Sequence, residues 1–431
     1  MEYWGYQKLT FESGRILLKN TLIYTFSSIL SAGIPFLLVP ILTRYLSPEQ
    51  YGQIAMFTIF LTALTAVVGL SVDGAANRRF FDQNVTCDQL KRFNGNCFFI
   101  LLTSTVLASF ILLFVDAHLA HFLGIPSSWV YLGILSVFCS FILKLRLGQL
   151  QVRGKAKSYG FFQVVNSFVV LILSILFVVS LDLGGAGRIY SIVLTSVLVS
   201  FMSFYSLVND KLFKFEYCLQ DIKQALSFGV PLIPHVLGAF LLLSADKFVI
   251  NKELGLEMTG IYMVAFSLGS ALNIIFSGIN SAFTPWLFGQ LKEDDEVKKR
   301  DIVKKTYLYF IFLIFLSLFT FIVAPPILKL IVGEKFHQAA EVLPLIIVGQ
   351  VFLGMYFMVT NYIFYVKKTK YLSYVTISSG AINISLLLLF LPIYGIYGAA
   401  LAFSIANLWQ FLFTWLVSAK VYSMPWALWR V

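Results

Sequence analysis

Charged residues are scarce in this chain of 431 residues: Asp, Glu, Lys and Arg together make up only 12% of it, while 59% is apolar. An ordinary soluble domain carries about 25% charged residues, so a soluble globular protein is excluded. Cysteines that could pair are also lacking, because the four present, at positions 87, 97, 139 and 218, form no Cys-x-x-Cys motif. We therefore expect free thiols and no disulfide framework.

The residues needed for catalysis are few as well. Only four histidines occur, and we find no phosphate-binding glycine-rich loop, no His-Glu-x-x-His motif and no Ser/His/Asp arrangement. The outer loops are short and carry no paired acidic residues of the kind that a membrane glycosyltransferase uses. The sequence therefore argues against an enzyme or an ATP-driven pump. It implies no cofactor, although coupling to H⁺ or Na⁺ is left open.

Long apolar runs account for most of the chain. A helix needs about 20 mostly apolar residues to cross a bilayer, and the pattern predicts an all-α polytopic membrane protein of about 12 transmembrane helices. The first run is not a signal peptide in this interpretation, because its removal would leave an odd number of spans. The predicted spans are 19–42, 51–72, 95–115, 128–147, 160–181, 189–208, 227–250, 259–282, 306–324, 341–366, 372–391 and 396–419.

Basic residues outnumber acidic ones by 11, and they fall between the apolar runs. With the N-terminus in the cytoplasm, 26 of the 32 Lys and Arg residues lie on the inner side and six on the outer side. A missed span would invert every later segment and destroy this bias. The charge pattern therefore predicts a multi-pass protein with both termini in the cytoplasm, and it reflects membrane topology rather than nucleic-acid binding.

An internal repeat underlies this topology. Residues 43–52, Thr-Arg-Tyr-Leu-Ser-Pro-Glu-Gln-Tyr-Gly, align without a gap with residues 251–260, Asn-Lys-Glu-Leu-Gly-Leu-Glu-Met-Thr-Gly, at a shift of 208. Since each half begins on the inner side and holds six spans, the repeat predicts two parallel lobes. We expect an N-lobe over 1–208 and a C-lobe over 227–431, joined by a linker over 209–226 that is either interfacial or a solvated loop.

Basic residues collect at the inner ends of the second and fourth spans. As a group they could form a basic entrance for a phosphorylated ligand, although single residues of this kind usually anchor helices and set their orientation. The candidate entrance residues are Arg78, Arg79, Lys144, Arg146 and Arg153.

A second group of polar residues lies within the spans or at their ends, where it could line a cavity or couple transport to an ion. For His235 the alternative is a neutral histidine bonded to a neighbouring span. For Asp246 and Lys247 the alternative is an ion pair at the outer boundary, where Lys can extend into water. The candidates are Asp73, His235, Asp246, Lys247, Asn166 and Asn273.

Prolines interrupt the first and the seventh spans, which are repeat equivalents. A proline within a helix frees a backbone carbonyl and bends the helix, and membrane proteins tolerate this where neighbouring groups or water satisfy that carbonyl. We therefore expect both lobes to open with a broken helix. The predicted hinge residues are Pro35, Pro40, Pro231 and Pro234.

The first and seventh spans also resemble those of a known family. Residues 34–36 (Ile-Pro-Phe) and 42–52 (Leu-Thr-Arg-Tyr-Leu-Ser-Pro-Glu-Gln-Tyr-Gly) resemble the opening signature of O-antigen flippases, which are bacterial exporters of lipid-linked oligosaccharides within the multidrug/oligosaccharidyl-lipid/polysaccharide superfamily. The start of that family's second half is similar to residues 228–235 (Phe-Gly-Val-Pro-Leu-Ile-Pro-His), 245–250 (Ala-Asp-Lys-Phe-Val-Ile) and 260–262 (Gly-Ile-Tyr). Residues 79–81 (Arg-Phe-Phe) resemble its basic-aromatic end of the second span.

The resemblance implies a V-shaped, MATE-like pair of six-helix lobes that opens alternately to the two faces of the bacterial inner membrane. Its substrate would be an undecaprenyl-pyrophosphate-linked oligosaccharide, moved from the cytoplasmic to the periplasmic leaflet. The implied partners are membrane lipids, a glycan polymerase and glycosyltransferases. In the family, cations in a central cavity accompany the anionic headgroup, whereas the Lys and Arg residues of this chain lie near helix ends.

Three other functions are weighed against this one. A cation-coupled small-molecule exporter of the same superfamily would need acidic residues inside the spans, and this sequence has almost none. A membrane enzyme would need a large outer loop or a deep His/Asp constellation, and neither is present. A transport-inactive scaffold is distinguished only by an export assay.

Overall fold

The computed structural model describes residues 12–82, 85–293, 295–368 and 370–427, without the side chains of residues 12–19, 21, 235, 238, 239 and 241–243. A π-helical segment, Ile175–Ser180, follows the sixth α-helix directly, and 3₁₀ turns occur at Val230–Leu232 and Glu334–Phe336. Within these ranges the α-helices are α1 (Glu12–Tyr45), α2 (Pro48–Val67), α3 (Val72–Arg79), α4 (Cys87–Leu123), α5 (Ser127–Val152), α6 (Ala156–Ser174), α7 (Gly184–Asn209), α8 (Leu219–Gly229), α9 (Ile233–Leu291), α10 (Glu296–Ile331), α11 (Ala339–Tyr365) and α12 (Lys370–Val421).

Ten helical stretches of the described residues are long and apolar enough to cross a membrane. Two of them hold two spans each, because α9 is non-helical at Gly255 (φ 82°, ψ 178°) and α12 is non-helical at Gly395 (φ 57°, ψ −142°). Glycine adopts such angles without the steric cost that a Cβ atom brings, so each glycine divides its helix in two. The twelve predicted spans are thereby accounted for, and the expected all-α polytopic fold is confirmed.

The chain divides into two compact units, Met1–Pro35 with Phe57–Leu241 and Phe36–Met56 with Leu242–Val431. One boundary follows Pro35, a predicted hinge residue. The segment 36–56, which contains the first copy of the repeat, belongs to the same unit as the second copy. The lobe boundaries at 208 and 227 remain a proposal that rests on the repeat and on the span count.

The two copies of the repeat pack against each other in the second unit. A Cβ atom on Gly52 would collide with the carbonyl oxygen of Leu256, and one on Gly260 would collide with the carbonyl oxygen of Pro48. Residues 52 and 260 are repeat equivalents, as are 48 and 256. The glycine of each copy therefore faces a backbone carbonyl of the other copy, which is the arrangement that a two-fold axis produces. Glycine at both positions lets the two backbones approach this closely.

In the first unit, the middle of the predicted linker is fixed to α4. The Nδ2 atom of Asn94 donates to the carbonyl oxygen of Leu212 at 2.8 Å. Asn96 uses both ends of its amide, donating to the carbonyl of Glu216 at 2.9 Å and accepting from the backbone N–H of Cys218 at 3.0 Å. Both asparagines are buried. The non-helical segment 212–218 therefore leads into α8 along the surface of α4.

Candidate functional site: the basic end of the first unit

The five candidate entrance cations all lie in the first unit, where α3 and α5 end and α8 packs. We call this region, residues 72–82, 144–155, 210 and 224–229, the basic end. A turn of three residues with positive φ, Gly69 (79°), Leu70 (48°) and Ser71 (57°), sets the start of α3. The N–H of Gly69 donates to Ser104 Oγ at 2.9 Å, and a Cβ atom on Gly69 would collide with the ring of Phe141.

Close packing of α3 on α5 builds a polar network. A Cβ atom on Gly148 would collide with the side chain of Asn77. Gln149 Nε2 donates to the carbonyl of Ala76 at 3.3 Å and to Asn77 Oδ1 at 3.4 Å. Arg153 Nη1 donates in turn to the backbone carbonyl of Gln149 at 3.1 Å and to its side-chain Oε1. The network therefore ties the end of α3 to Arg153.

Two of the candidate cations are paired with carboxylates of α3 or of the turn after it. Lys144 Nζ lies 3.1 Å from Asp73 Oδ2, and Asp73 is buried whereas Lys144 is exposed. Arg79 Nη1 lies 3.0 Å from Asp82 Oδ2. Asp73, predicted as a cavity or coupling residue, thus carries a lysine partner that neutralises its charge.

A third candidate cation, Arg146, is only 3% exposed. Its Nη2 donates to Asp210 Oδ2 at 2.7 Å, and Lys155 Nζ donates to the same oxygen at 3.2 Å. The Nε and Nη1 atoms of Arg146 are buried, and no described residue accepts a hydrogen bond from them. Burial disfavours the charge on Asp210, but the hydrogen bonds from Arg146 and Lys155 outweigh it and hold the pKa of Asp210 below its usual value.

The remaining two candidates, Arg78 and Arg153, form no ion pair with a carboxylate in the described part of the chain. Arg78 is exposed, and its Cζ lies 5.9 Å from the centroid of the Phe228 ring. Arg153 is half-buried, with its Cζ 4.8 Å from the centroid of Phe80. Burial and the nearby charge of Arg146 lower the pKa of Arg153. These two guanidinium groups have the most capacity left for a ligand anion.

A polar groove of roughly 250 Å³ lies between α3 and α8. It brings two predicted entrance residues, Arg78 and Arg79, together with side chains of α8. Its lining residues are Ala75, Arg78, Arg79, Asp82, Phe93, Gln224, Ser227 and Phe228.

Asp246 and Lys247 form an ion pair, the alternative that the sequence left open for them, and both residues are buried within the second unit. Lys247 Nζ lies 2.9 Å from Asp246 Oδ1, and the two residues are only 4% and 3% exposed respectively. Tyr262 donates its hydroxyl to Asp246 Oδ2 at 3.0 Å, and Lys247 Nζ lies 3.8 Å from the centroid of Phe266. Tyr262 and Phe266 belong to the part of α9 beyond Gly255, so this part of the helix covers the pair.

The other predicted cavity residues are more dispersed. Asn166 is half-buried on α6 in the first unit, and Asn273 is half-buried on α9 in the second. The side chain of His235 lies outside the described residues. Among the described residues, no group of three or more His, Cys, Asp or Glu side chains could hold a metal ion. All four cysteines are free thiols, as predicted.

The four predicted hinge prolines differ in whether the backbone around them stays α-helical. Helix α1 stays helical through Pro35 and Pro40. Pro231 lies in the 3₁₀ turn Val230–Leu232, and Pro234 is the second residue of α9, where its missing N–H leaves no intrahelical hydrogen bond unmade. The approach to α9 is thus broken by a 3₁₀ turn, whereas α1 is one continuous helix.

Several residues of the basic end were missed by the sequence analysis. Asp210 is the partner of Arg146 but lies 64 residues away, so no local spacing could reveal the pair. Gln149 follows the fourth predicted span, and no sequence pattern pointed to it. Gln224 and Ser227 belong to α8. Gln224 lies in the predicted linker and Ser227 at the start of the seventh predicted span, and no motif pointed to either.

Comparison with known proteins adds four similarities. The sequence matches the profile of a family described as polysaccharide biosynthesis protein over residues 17–291. It is 24% identical over 322 residues to the succinoglycan biosynthesis transport protein ExoT of Rhizobium meliloti, covering 73% of this chain and 62% of that protein. The fold is similar to that of the lipid II flippase MurJ in an inward closed conformation, with a TM-score of 0.70 at 15% identity, covering 94% of this chain and 87% of that one. An inward-facing MATE family transporter of the MOP superfamily gives a TM-score of 0.69 at 17% identity, covering 93% of this chain and 94% of that one. The fold is therefore that of transporters of this superfamily.

Proposed function

We propose a transport function for this chain, which belongs to the polysaccharide biosynthesis protein family. The protein moves a lipid-linked oligosaccharide, a glycan repeat unit on a polyprenyl-pyrophosphate carrier, from the cytoplasmic to the periplasmic leaflet of a bacterial inner membrane. The observation that carries this proposal is the family match on a chain with a transporter fold. ExoT is a transport protein of succinoglycan biosynthesis and MurJ is a lipid II flippase, and these two functions support the same substrate class.

The physical need for such a protein follows from the headgroup. Moving an ion or an unpaired polar group into hydrocarbon costs several kcal/mol or more, and a glycan pyrophosphate carries many such groups. A polar path that faces one side of the membrane at a time removes most of that barrier, while the polyprenyl tail stays in lipid. No covalent step is needed, which agrees with the few titratable groups in the sequence.

Within this proposal, the basic end receives the anionic headgroup. Arg78 and Arg153 contact the headgroup, since neither has a described carboxylate partner. The other three entrance cations, Arg79, Lys144 and Arg146, are each held in position by a carboxylate. Asn166, Asn273 and His235 remain candidates for lining the path. Asp73, Asp246 and Lys247 remain candidates for cavity contacts or for coupling to an ion. Pro35, Pro40, Pro231 and Pro234 remain candidates for hinges.

Small-molecule export coupled to a cation is the second candidate, and the ion pairs weigh against it. An acidic residue that binds a proton, Na⁺ or a cationic drug inside a span must be able to release its partner. Asp73 and Asp246 are each bonded to a lysine, at 3.1 and 2.9 Å. A lipid-linked glycan is therefore the substrate class that we favour, with glycosyltransferases and a polymerase as the enzymes that would supply and consume it.

Reconstituted vesicles provide the test. Purified protein is placed in liposomes with a labelled polyprenyl-pyrophosphate-linked oligosaccharide, and transfer between leaflets is followed by a membrane-impermeant reagent that modifies exposed glycan. We expect transfer that depends on the protein, and Arg153→Gln should slow it roughly tenfold, as expected for one lost charge-assisted hydrogen bond to phosphate.

The control variant is Lys157→Gln, which removes the same charge from an exposed neighbouring position and should leave the rate of transfer unchanged. Transfer no faster than in protein-free vesicles would refute the proposal.

A further inference from the structure

The groove between α3 and α8 exists because two glycines let the helices approach. A Cβ atom on Gly74 of α3 would lie 3.0 Å from the ring of Phe228. A Cβ atom on Gly229, the last residue of α8, would collide with the carbonyl oxygen of Leu70 in the turn before α3. Both helices are thus held at short range, with Arg78 and Arg79 on one wall of the groove and Gln224 and Ser227 on the other.

The charge in the groove is incompletely neutralised. Asp82 is the single carboxylate among the described residues that line it, and it is paired with Arg79. Arg78 forms no ion pair with a described carboxylate, so one positive charge remains. The Nε atom of Arg79 is buried, and no described residue accepts a hydrogen bond from it. The groove therefore offers the unpaired charge of Arg78, which an anionic oxygen can neutralise.

Aromatic rings hold both guanidinium groups in place. The Cζ atom of Arg78 lies 5.9 Å from the centroid of Phe228, and that of Arg79 lies 5.7 Å from the centroid of Phe93. A guanidinium group that stacks on a ring uses its face and keeps the N–H donors at its edge available. Two arginines restrained in this way lose less side-chain entropy when they bind a phosphate than two mobile ones would.

The size of the groove limits what it can hold. Pockets that enclose a whole drug-sized ligand measure about 300–1,000 Å³, and this groove measures roughly 250 Å³. It has room for a phosphate or diphosphate group but not for an oligosaccharide. Gln224 and Ser227 are exposed, and their amide and hydroxyl groups can donate to phosphate oxygens in the same way as those of other anion sites.

We propose that the α3–α8 groove binds the phosphate-bearing end of the lipid-linked substrate, with Arg78 supplying the charge and Gln224 and Ser227 supplying hydrogen bonds. This inference rests on the proposed transport function and extends the site to α8, a helix that begins in the predicted linker. The chemistry is that of a phosphate ester, which an anionic membrane lipid also carries, so the test must separate the two sources.

Calorimetry on the purified full-length chain measures the binding of three probes: inorganic pyrophosphate, a polyprenyl diphosphate in detergent, and phosphatidylglycerol in detergent. We expect the two diphosphates to bind more tightly than phosphatidylglycerol. Arg78→Gln should weaken both diphosphates about tenfold and Gln224→Ala about threefold. Both residues are exposed, so folding is preserved. Lys223→Gln removes a charge from an exposed position of α8 that does not line the groove, and it should change nothing.

Three results would overturn the inference: unchanged binding in Arg78→Gln, an equal loss in Lys223→Gln, or phosphatidylglycerol binding as tight as that of the polyprenyl diphosphate. The vesicle assay separates this failure from failure of the proposed function. Wild-type protein that binds diphosphate through the groove but transfers no glycan would refute transport and leave the groove intact. Glycan transfer with diphosphate binding that ignores Arg78→Gln would do the reverse.

Discussion

Arg146 and Asp210 are 64 residues apart in the sequence, yet their side chains share a 2.7 Å ion pair inside the first unit. Asp73 is likewise paired with Lys144 at 3.1 Å, and Asp246 with Lys247 at 2.9 Å. A buried charge whose partner is removed costs far more free energy than a buried pair, so each carboxylate that folding covers needs a cation beside it. The sequence offered an ion pair only for the adjacent Asp246 and Lys247. It did not identify Arg146 and Lys144 as the partners of Asp210 and Asp73.

The ion pair between Asp246 and Lys247 leads to a prediction at this scale. Asp246→Asn leaves the buried lysine without its carboxylate, so the free energy of unfolding should fall by about 3 kcal/mol. The double variant Asp246→Asn with Lys247→Met removes both charges and should recover most of the loss. Thermal unfolding of the detergent-solubilised variants measures both effects.

The matched control lies in the same helix. Lys252 and Glu253 form an exposed pair at 4.0 Å, and Glu253→Gln should lower the free energy of unfolding by less than about 1 kcal/mol. If Asp246→Asn were no more harmful than Glu253→Gln, the pair would contribute no more than an exposed one, and the stabilising role assigned to it would be wrong.

At the scale of helices, the duplicated segments show how a repeat becomes a contact. The start of α2 and the part of α9 beyond Gly255 approach through Gly52 and Gly260, each facing a carbonyl oxygen of the other copy. A contact of this kind depends on the absence of a side chain at two positions 208 residues apart. The alignment identified both glycines as equivalent, but only the folded chain brings them together.

Adding one methyl group at this crossing should be harmful. Gly52→Ala forces the helices apart or displaces the Leu256 carbonyl, and overpacking of this kind costs about 1–3 kcal/mol. Gly278→Ala is the control, because Gly278 lies in α9 with no atom within 4 Å of its Cβ position, and alanine there should be neutral or stabilising by up to about 1 kcal/mol. Unfolding midpoints compare the two variants, and equal midpoints would refute the close approach.

The segment that joins the predicted lobes shows what a helix gains from its surroundings. Its apolar and basic residues suggested an interfacial linker, with a solvated loop as the alternative. In the structure, Asn94 and Asn96 of α4 bind the backbone of 212–218, and α8 then lies against α3. The amide contacts depend on α4, which precedes the segment by more than a hundred residues, so the linker composition could not reveal them.

For the molecule as a whole, the charge bias predicts that residues 157 and 335 lie on opposite sides of the membrane. Lys157→Cys and Lys335→Cys, both at exposed positions, are introduced separately into a variant whose four cysteines are replaced by alanine. A membrane-impermeant maleimide added to intact spheroplasts should label Lys335→Cys and should reach Lys157→Cys only after permeabilisation.

If Lys157→Cys were labelled in intact spheroplasts and Lys335→Cys only after permeabilisation, the basic end would lie on the periplasmic side. That result would contradict both the predicted topology and the entry of substrate from the cytoplasm.

The number of spans, the predicted orientation and the duplication could all be read from the chain before it folded. Apolar length and the distribution of Lys and Arg are properties of short windows of sequence, and a repeat is visible wherever two windows match. The burial of Asp246 and Lys247, the pairing of Arg146 with Asp210 and the groove between α3 and α8 needed the folded chain. Each of these depends on side chains from separate helices or helical segments meeting in space, and the free energy of those meetings is not a property of any one segment.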